Sequence, residues 1–302
     1  TGRYVVITTN AIRSGSTKLN AFIAHKQSLG YTVSVVTETD IGGLTGQAPN
    51  HKAEKIRQWL KNNYVFLGIK YVLLIGNPSP YESTEGDIPM KMCWPRPPQG
   101  PEFPDAPTDS FYADLTGNWN IDSDAEYGEW SDFTSSGGVD FTPEVYVGRI
   151  PVYGGDYTTL DSILQKTIDY ETSGSISWRK NSLLPMAFQD SRPTDGAYLA
   201  EQMKDDYLSP NGYTCYRMYQ QGNGACALDS TKESEAELRG GYVVRDRWRD
   251  NDYGIVAWWG HGWETGAIVG YDDPACRDGN LFTSVDCSSL DNAHPSFTYQ
   301  CS

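Results

Sequence analysis

The stretch Tyr253-Gly-Ile-Val-Ala-Trp-Trp-Gly-His-Gly-Trp-Glu-Thr-Gly266 decides how this sequence folds. Its apolar run, residues 255–259, is continuous rather than alternating, which is typical of a strand covered on both faces of a parallel sheet. Gly260 and Gly262 allow a sharp turn and leave the imidazole of His261 uncrowded. The stretch therefore predicts a buried strand that presents a histidine at its carboxyl end.

A second apolar segment, Pro295-Ser-Phe-Thr-Tyr-Gln-Cys301, lies near the end of the sequence and is interpreted as another strand. The carboxyl ends of parallel strands meet at one edge of a sheet, where open α/β sheets bind ligands. A cysteine needs a neighbouring base or cation to form its thiolate at neutral pH. The two segments therefore predict a nucleophile–base pair made of Cys301 and His261.

The rest of the sequence alternates strand and helix patterns, which favours parallel sheets with right-handed crossovers. Strands are predicted at residues 4–9, 31–36, 71–75, 143–151, 182–189 and 212–219. Helices are predicted at residues 16–29, 51–64, 157–171, 196–208, 232–238 and 242–250. We expect two α/β subdomains, an N-terminal one over residues 1–151 and a catalytic one over residues 152–302.

Two further residue types complete a candidate hydrolytic site. The imidazole needs a carboxylate or carbonyl that holds its tautomer, and Asp190 follows a predicted strand. Acyl transfer also needs N–H donors for the oxyanion, which the backbones of Gly262 and Cys301 can offer. Taken singly, a histidine is more often a structural hydrogen bonder and a strand-end aspartate is usually a turn or cap residue.

Charge and hydropathy exclude several classes of function. The 302 residues include 39 acidic and 24 basic side chains, a net charge of −15, which argues against nucleic acid or anionic membranes as partners. No apolar run approaches the roughly 18 residues that a membrane span requires.

The six cysteines suggest an oxidising compartment. The simplest pairing gives two local disulfides, Cys215–Cys226 and Cys276–Cys287, which is typical of secreted proteins. Cys93 is left over with the candidate nucleophile, and the common state of such a residue is an inert buried thiol.

Oxygen-bearing side chains recur at every second position from residue 118 to residue 126. They are Asn118, Asn120, Asp122, Asp124 and Glu126. Alternating residues of a curling segment can direct such oxygens at one ion, so we expect a structural calcium here. The glycine of an EF-hand loop is missing, and the alternative is an acidic, solvated hairpin tip.

Four stretches together resemble gingipain-type cysteine peptidases of the wider caspase-like group. They are Gly260-His-Gly262, the strand that ends in Cys301, Pro143-Glu-Val-Tyr-Val-Gly-Arg-Ile150 and Thr108-Asp-Ser-Phe-Tyr-Ala-Asp114. The resemblance implies a caspase-like α/β fold with two side-by-side, mostly parallel sheets flanked by helices. It also implies a secreted, extracellular or cell-surface cysteine endopeptidase that acts on proteins or peptides and carries structural calcium.

The same resemblance implies roles for individual residues. Cys301 is the nucleophile, His261 the general base and acid, Asp190 the carboxylate that orients it, and Gly262 an oxyanion donor. Members of the family often bind a basic P1 side chain with an acidic residue near the start of the helix that follows the Asp190 strand. Asp195 is the nearest match, and Glu201 inside that helix is the second choice.

The ends of the sequence and two other functions complete the expectations. The family's chain continues well beyond the nucleophile, so we expect this sequence to be an incomplete stretch or one chain of a processed pair. Its partner is then a C-terminal second chain or the remainder of the protein, and Thr1 is a processed N-terminus. The alternatives are a catalytically inactive gingipain-like surface or filament-forming structural protein, and a metal site of His261, Cys301 and a carboxylate.

Overall fold

The structure, a computed structural model, describes residues 2–44, 51–96, 105–189, 195–222, 232–270 and 276–301, with the backbone alone at Glu82 and Asp195. Contacts divide the chain into two compact units, residues 1–168 and 169–302. The sequence had placed this boundary after residue 151. Each unit contains a parallel sheet of its own.

The first unit alternates strands and helices. Its strands are β1 (Arg3–Ile7), β2 (Thr32–Val36), β3 (Ile69–Gly76), β4 (Lys91–Cys93), β5 (Ala106–Thr108) and β6 (Tyr146–Pro151). Its helices are α1 (Asn10–Gly15), α2 (Leu19–Ser28), α3 (Glu38–Ile41), α4 (Lys52–Leu67), α5 (Ser110–Ala113), α6 (Trp130–Thr134) and α7 (Tyr157–Thr172), the last of which crosses the unit boundary. The main sheet has the order β2-β1-β3-β6 and is parallel throughout.

Helices cover both faces of this sheet, which is why its central strands β1 and β3 are mostly apolar. On one face, Val5 and Ile7 of β1 pack in a cluster with Ile56 and Leu60 of α4. On the other face, Val6 joins a cluster with residues of α2 and α7. The crossover pattern predicted from the sequence is confirmed for this unit.

A buried ion pair joins α4 to the chain after α5. The side chains of Arg57 and Asp114 are each 2% exposed, and the guanidinium donates to the carbonyls of Asp114 and Gly117. The Asp114 carboxylate accepts from the indole of Trp119 and from three backbone N–H groups. Burial lowers the pKa of Arg57 to about 10, although the Asp114 charge opposes this effect.

The second unit has a five-stranded sheet in the order β14-β10-β7-β8-β9, again parallel throughout. Its strands are β7 (Asn181–Met186), β8 (Thr214–Gln220), β9 (Ala236–Leu238), β10 (Ile255–Trp259) and β14 (Phe297–Cys301). Helices α8 (Asp195–Met203) and α9 (Val243–Arg249) belong to the same unit. A small antiparallel sheet follows β10 and consists of β11 (Gly262–Trp263), β12 (Gly266–Ile268) and β13 (Asn280–Thr283).

Two predictions for this unit were wrong. The helix expected at residues 232–238 does not form, and its last three residues are strand β9, because pairing with β8 along the sheet outweighs local helix preference. The predicted disulfides also fail, since Cys215 and Cys287 are free thiols. Cys215 lies in β8 opposite Ser182, so its place is set by the sheet register and not by loop spacing. Cys226 lies outside the described residues.

Within the described part of the chain, no helix combines the length and apolarity that a bilayer crossing demands.

Replacing Arg57 by alanine should lower the free energy of unfolding by about 3–5 kcal/mol, because Asp114 would keep a buried charge without its partner. Urea denaturation followed by circular dichroism measures the change. Arg13→Ala, which removes an exposed arginine of α1, is the control and should stay within about 0.5 kcal/mol of wild type. Equal stability of the two variants would contradict a structural role for the buried pair.

Candidate active site

Register of parallel strands brings His261 and Cys301 to one edge of the second sheet. Trp259, at the end of β10, lies opposite Cys301 of β14 on one side and Met186 of β7 on the other. The N–H of Gly260 then donates to the carbonyl of Cys301 at 3.0 Å. Neighbouring strands are about 4.8 Å apart, so the backbone of His261 lies close to the backbone of the half-buried Cys301. The juxtaposition predicted from the two apolar segments is therefore present in the backbone.

The same register shows which face of the sheet the thiol shares. Side chains that lie opposite each other across a sheet point to the same face, so Cys301 is in a row with Trp259 and Met186. Trp259 and Met186 pack in the cluster that contains Ala197 and Ala200 of α8. Cys301 is thus on the α8 side of the sheet.

Helix α8 begins against this row. A Cβ atom on Gly196 would lie 2.7 Å from the carbonyl oxygen of Ala187 and 3.2 Å from Cδ1 of Trp259, so a glycine is required at this position. Asp195 is the first residue of α8 and directly precedes that glycine. Its backbone therefore lies near the edge that carries the histidine and the cysteine.

Gln189 holds the imidazole of His261. Nε2 of the ring lies 2.7 Å from the Gln189 carbonyl oxygen, and since a carbonyl only accepts, Nε2 carries the hydrogen. Nδ1 is then the unprotonated nitrogen of the neutral ring, with the Gln189 side-chain amide nitrogen 3.5 Å away. Asp190, predicted to orient the ring, lies outside the described residues. No feature of the sequence points to Gln189, because every residue has a backbone carbonyl.

The backbone N–H of Gly262 makes no hydrogen bond to β12 within its own hairpin. The N–H of Ile268 donates to the His261 carbonyl at 2.8 Å, which makes the next pair, Gly262 and Ala267, a non-hydrogen-bonded pair of the antiparallel ladder. The N–H and carbonyl of Gly262 consequently point away from β12. The parallel ladder directs the N–H of Cys301 towards the Trp258 carbonyl instead, so only the glycine offers its N–H outside a ladder.

Glu201, the second choice for a P1 partner, is occupied by its own neighbours. Its carboxylate accepts from Lys204, from Arg217 at 2.6 Å and from the Tyr219 hydroxyl at 2.6 Å. Burial raises its pKa, but these hydrogen bonds outweigh burial and lower the pKa to about 2. The Glu201 carboxylate is therefore already engaged by Lys204, Arg217 and Tyr219 within the chain.

The acidic loop of the first unit brings three carboxylates together. Oxygen atoms of Asp122, Asp124 and Glu129 all lie within 4.8 Å of one another. Ser123 adopts a left-handed conformation with φ of 65°, which curls the chain between the two aspartates. Oε2 of Glu129 is buried and has no hydrogen-bond partner among the described atoms. Burial, followed by repulsion from Asp124 and Asp122, raises the pKa of Glu129 to about 7.

The other residues predicted as ligands have different places. Asn118 and Asn120 use their side-chain oxygens to accept the N–H groups of Asn120 and Asp124 within the loop. Glu126 is not in the converging group, and Glu129 is, although it breaks the alternation that the sequence suggested. The convergence of three carboxylates with an unsatisfied buried oxygen fits a hard divalent cation such as Ca²⁺.

Cys93 is inert, as the sequence suggested for a leftover thiol. It is 3% exposed in the core of the first unit, and burial raises its pKa to about 12.

Alkylation of the folded protein with iodoacetamide at pH 8 should therefore spare Cys93 and label the half-buried Cys301. Peptide mass mapping before and after unfolding in urea measures the labelling of each thiol. The exposed Cys287 is the internal positive control. Labelling of native Cys93 at the rate found in urea would contradict its burial.

Comparisons with known proteins give the family and the fold of this chain. The model of peptidase family C25 matches residues 1–301. A crystal structure of the Arg-specific cysteine proteinase gingipain R matches with a TM-score of 0.63 and 20% identity, over 99% of this chain and 54% of that chain. A structure titled "Structure of Protease" matches with a TM-score of 0.56 and 17% identity, over 99% of this chain and 52% of that chain. This chain thus spans about half the length of each.

The comparison with curated proteins gave no match. The fold of the two matching structures confirms the predicted caspase-like α/β class, and the family match confirms the resemblance to gingipains. The chain belongs to peptidase family C25.

Proposed function

We propose that this chain carries the catalytic dyad of a secreted cysteine endopeptidase that cleaves after basic residues. The observation that carries the proposal is the strand register that sets Cys301 opposite Trp259, two residues before His261. Family membership supports the same chemistry. The free N–H of Gly262 lies on the residue that follows His261, where an oxyanion donor is needed.

The proposed reaction follows from the tautomer of His261. Nδ1 takes the thiol proton of Cys301, and the thiolate attacks the carbonyl carbon of the scissile bond. The Gly262 N–H stabilises the resulting oxyanion. The imidazolium then gives its proton to the leaving amine as the C–N bond breaks, which leaves a thioester. A water molecule, deprotonated by the same nitrogen, hydrolyses the thioester and restores the thiol.

Two carboxylates have proposed roles beside this pair. Asp195 binds the P1 guanidinium or ammonium group, supported by its place as the first residue of α8 beside Gly196. Asp190 follows Gln189 directly, and we assign it the stabilisation of the imidazolium charge. The Gln189 carbonyl already fixes which ring nitrogen carries hydrogen, so Asp190 is not required for that purpose.

Cleavage of peptides with Arg, Lys or Leu at P1 tests the proposal on the complete protein. Cys301→Ala should lower kcat/KM for the basic substrates by on the order of 10⁶-fold, because the nucleophile is removed. Asp195→Ala should reduce the preference for basic over leucyl P1 by about 10- to 100-fold while cleavage continues. Asp190→Asn should cost much less than the roughly 10⁴-fold loss that follows a lost tautomer.

Cys287→Ala is the matched control, because it removes an exposed thiol of the same unit, and it should cleave as wild type does. Undiminished cleavage by Cys301→Ala would refute the dyad. A well-folded wild-type protein that cleaves none of the peptides would instead support the non-catalytic structural alternative.

We also propose that Asp122, Asp124 and Glu129 hold a structural calcium ion. The support is their convergence, together with a buried Glu129 oxygen that has no described partner. A bound cation would supply that partner and remove the repulsion among the carboxylates. An extracellular setting, which we propose from the family, offers the millimolar Ca²⁺ that weak exposed sites need.

Calcium should change how stability depends on pH. The Glu129 pKa is raised above its unfolded value of 4.5, so in EDTA its destabilising effect is absent below about pH 4.5 and grows up to about pH 7. Millimolar Ca²⁺ should remove this loss and raise the Tm at pH 7.5 by about 5 °C. Differential scanning fluorimetry across pH, with and without Ca²⁺, gives both quantities.

Glu129→Gln should lose both the calcium response and its part of the pH dependence. Glu233→Gln, which changes an exposed glutamate of the second unit, should keep both. A wild-type Tm that is the same in EDTA and in Ca²⁺ would count against the site.

A further inference from the structure

The hairpin that follows His261 carries an exposed tryptophan next to the proposed oxyanion donor. Strand β11 comprises Gly262 and Trp263, and a two-residue turn returns the chain into β12. The Trp263 side chain is 44% exposed. Tryptophan offers a large apolar face together with a polar N–H, a combination that is enriched at binding interfaces.

The orientation of the Trp263 ring is fixed by its own hairpin. Its Nε1–H donates to Oγ1 of Thr265 at 2.8 Å. The ring also lies over Gly266, where a Cβ atom would come within 2.8 Å of Cζ2 and Cη2 of the indole. A side chain held by a hydrogen bond and by a glycine beneath it has little rotamer entropy left to lose. It is therefore pre-organised to bind an apolar group.

Strand β11 is an edge strand of the described three-stranded sheet, so a substrate can bind along it beside the Trp263 ring. The N–H and carbonyl of Gly262 point away from β12, so an extended peptide whose scissile carbonyl accepts from Gly262 lies along this edge. When such a peptide runs antiparallel to β11, its P2 residue, which precedes the scissile one, faces Trp263 as a non-hydrogen-bonded pair. Side chains of such pairs approach most closely, with Cα atoms about 4.5 Å apart.

We propose that Trp263 forms an apolar subsite for the P2 side chain of the substrate, which belongs to the residue that precedes the scissile one. The subsite selects large apolar or aromatic side chains over glycine and over acidic ones, because Glu264 adds a negative charge on the same turn. Selectivity of the enzyme then has two parts, a basic P1 residue and an apolar neighbour. The inference rests on the proposed peptidase function and deepens it.

A peptide panel tests the subsite. All members carry arginine at P1, and the P2 and P1′ positions are varied one at a time among Phe, Leu, Gly and Glu. Wild type should cleave the peptides with Phe or Leu at P2 about tenfold faster, by kcat/KM, than those with Gly there, and the P1′ series serves as the comparison. Trp263→Ala should abolish this ratio, because cleavage of the Phe and Leu peptides loses the contribution of the ring.

Two further variants separate binding from a merely structural role of the ring. Trp263→Phe keeps an apolar surface and should retain most of the ratio although it loses the bond to Thr265. Gly266→Ala keeps the tryptophan in the sequence, but the added methyl group displaces the Trp263 ring, so this variant should also reduce the ratio. Thermal melting of each variant identifies any that fail to fold.

Tyr207→Ala is the matched control, because it removes a 66% exposed aromatic side chain of the same unit, beyond the end of α8. It should preserve the wild-type ratio. The subsite would be overturned by an unchanged ratio in a folded Trp263→Ala protein, or by a wild type that shows no preference for an apolar side chain at P2. Absence of all cleavage by wild type would overturn the proposed function instead, so the two failures are distinguishable.

Discussion

The parallel ladder between β10 and its two neighbours is the constraint on which the candidate site depends. Strand β10 is fixed against β7 by buried apolar side chains on both faces, and β14 pairs with it residue for residue. A slip of one residue would send every side chain to the opposite face. The thiol of Cys301 would then lie on the face of the sheet opposite α8, and the histidine would no longer be in register with the cysteine.

Rigid backbone groups provide much of the chemistry around this ladder. The Gln189 carbonyl defines the tautomer of His261, and the Gly262 N–H is left free by the alternation of an antiparallel pair. Neither group requires a particular side chain, and neither needs to reorganise during a reaction. Gly196 serves a similar purpose, since the absence of its side chain lets α8 start against Trp259.

Charge is handled differently in the two units. In the first unit, Arg57 and Asp114 neutralise each other in a dry core, whereas the carboxylates around Glu129 repel one another near the surface. The buried pair is complete within the chain, whereas the acidic group keeps its mutual repulsion. In the second unit, the Glu201 carboxylate is neutralised by hydrogen bonds from Lys204, Arg217 and Tyr219.

The sequence by itself determined the elements that have a strong local period or an unbroken apolar run. Strand β10 and its glycine-bracketed histidine were readable, because burial on both faces leaves a continuous hydrophobic signature. The strand that ends in Cys301 was readable from its alternating aromatic residues, although it is mostly exposed. The acidic loop was readable by composition. A short segment such as β9 was not, since three residues carry too little pattern to outweigh a helical preference.

Only the tertiary structure decided which groups meet. Strand register placed Cys215 opposite Ser182 and so removed it from the predicted disulfide. Chain curvature exchanged Glu126 for Glu129 in the acidic group. Hairpin alternation selected the N–H of Gly262 over that of Cys301. Each outcome depends on direction and distance between segments far apart in the chain, and residue order specifies neither until the sheets have formed.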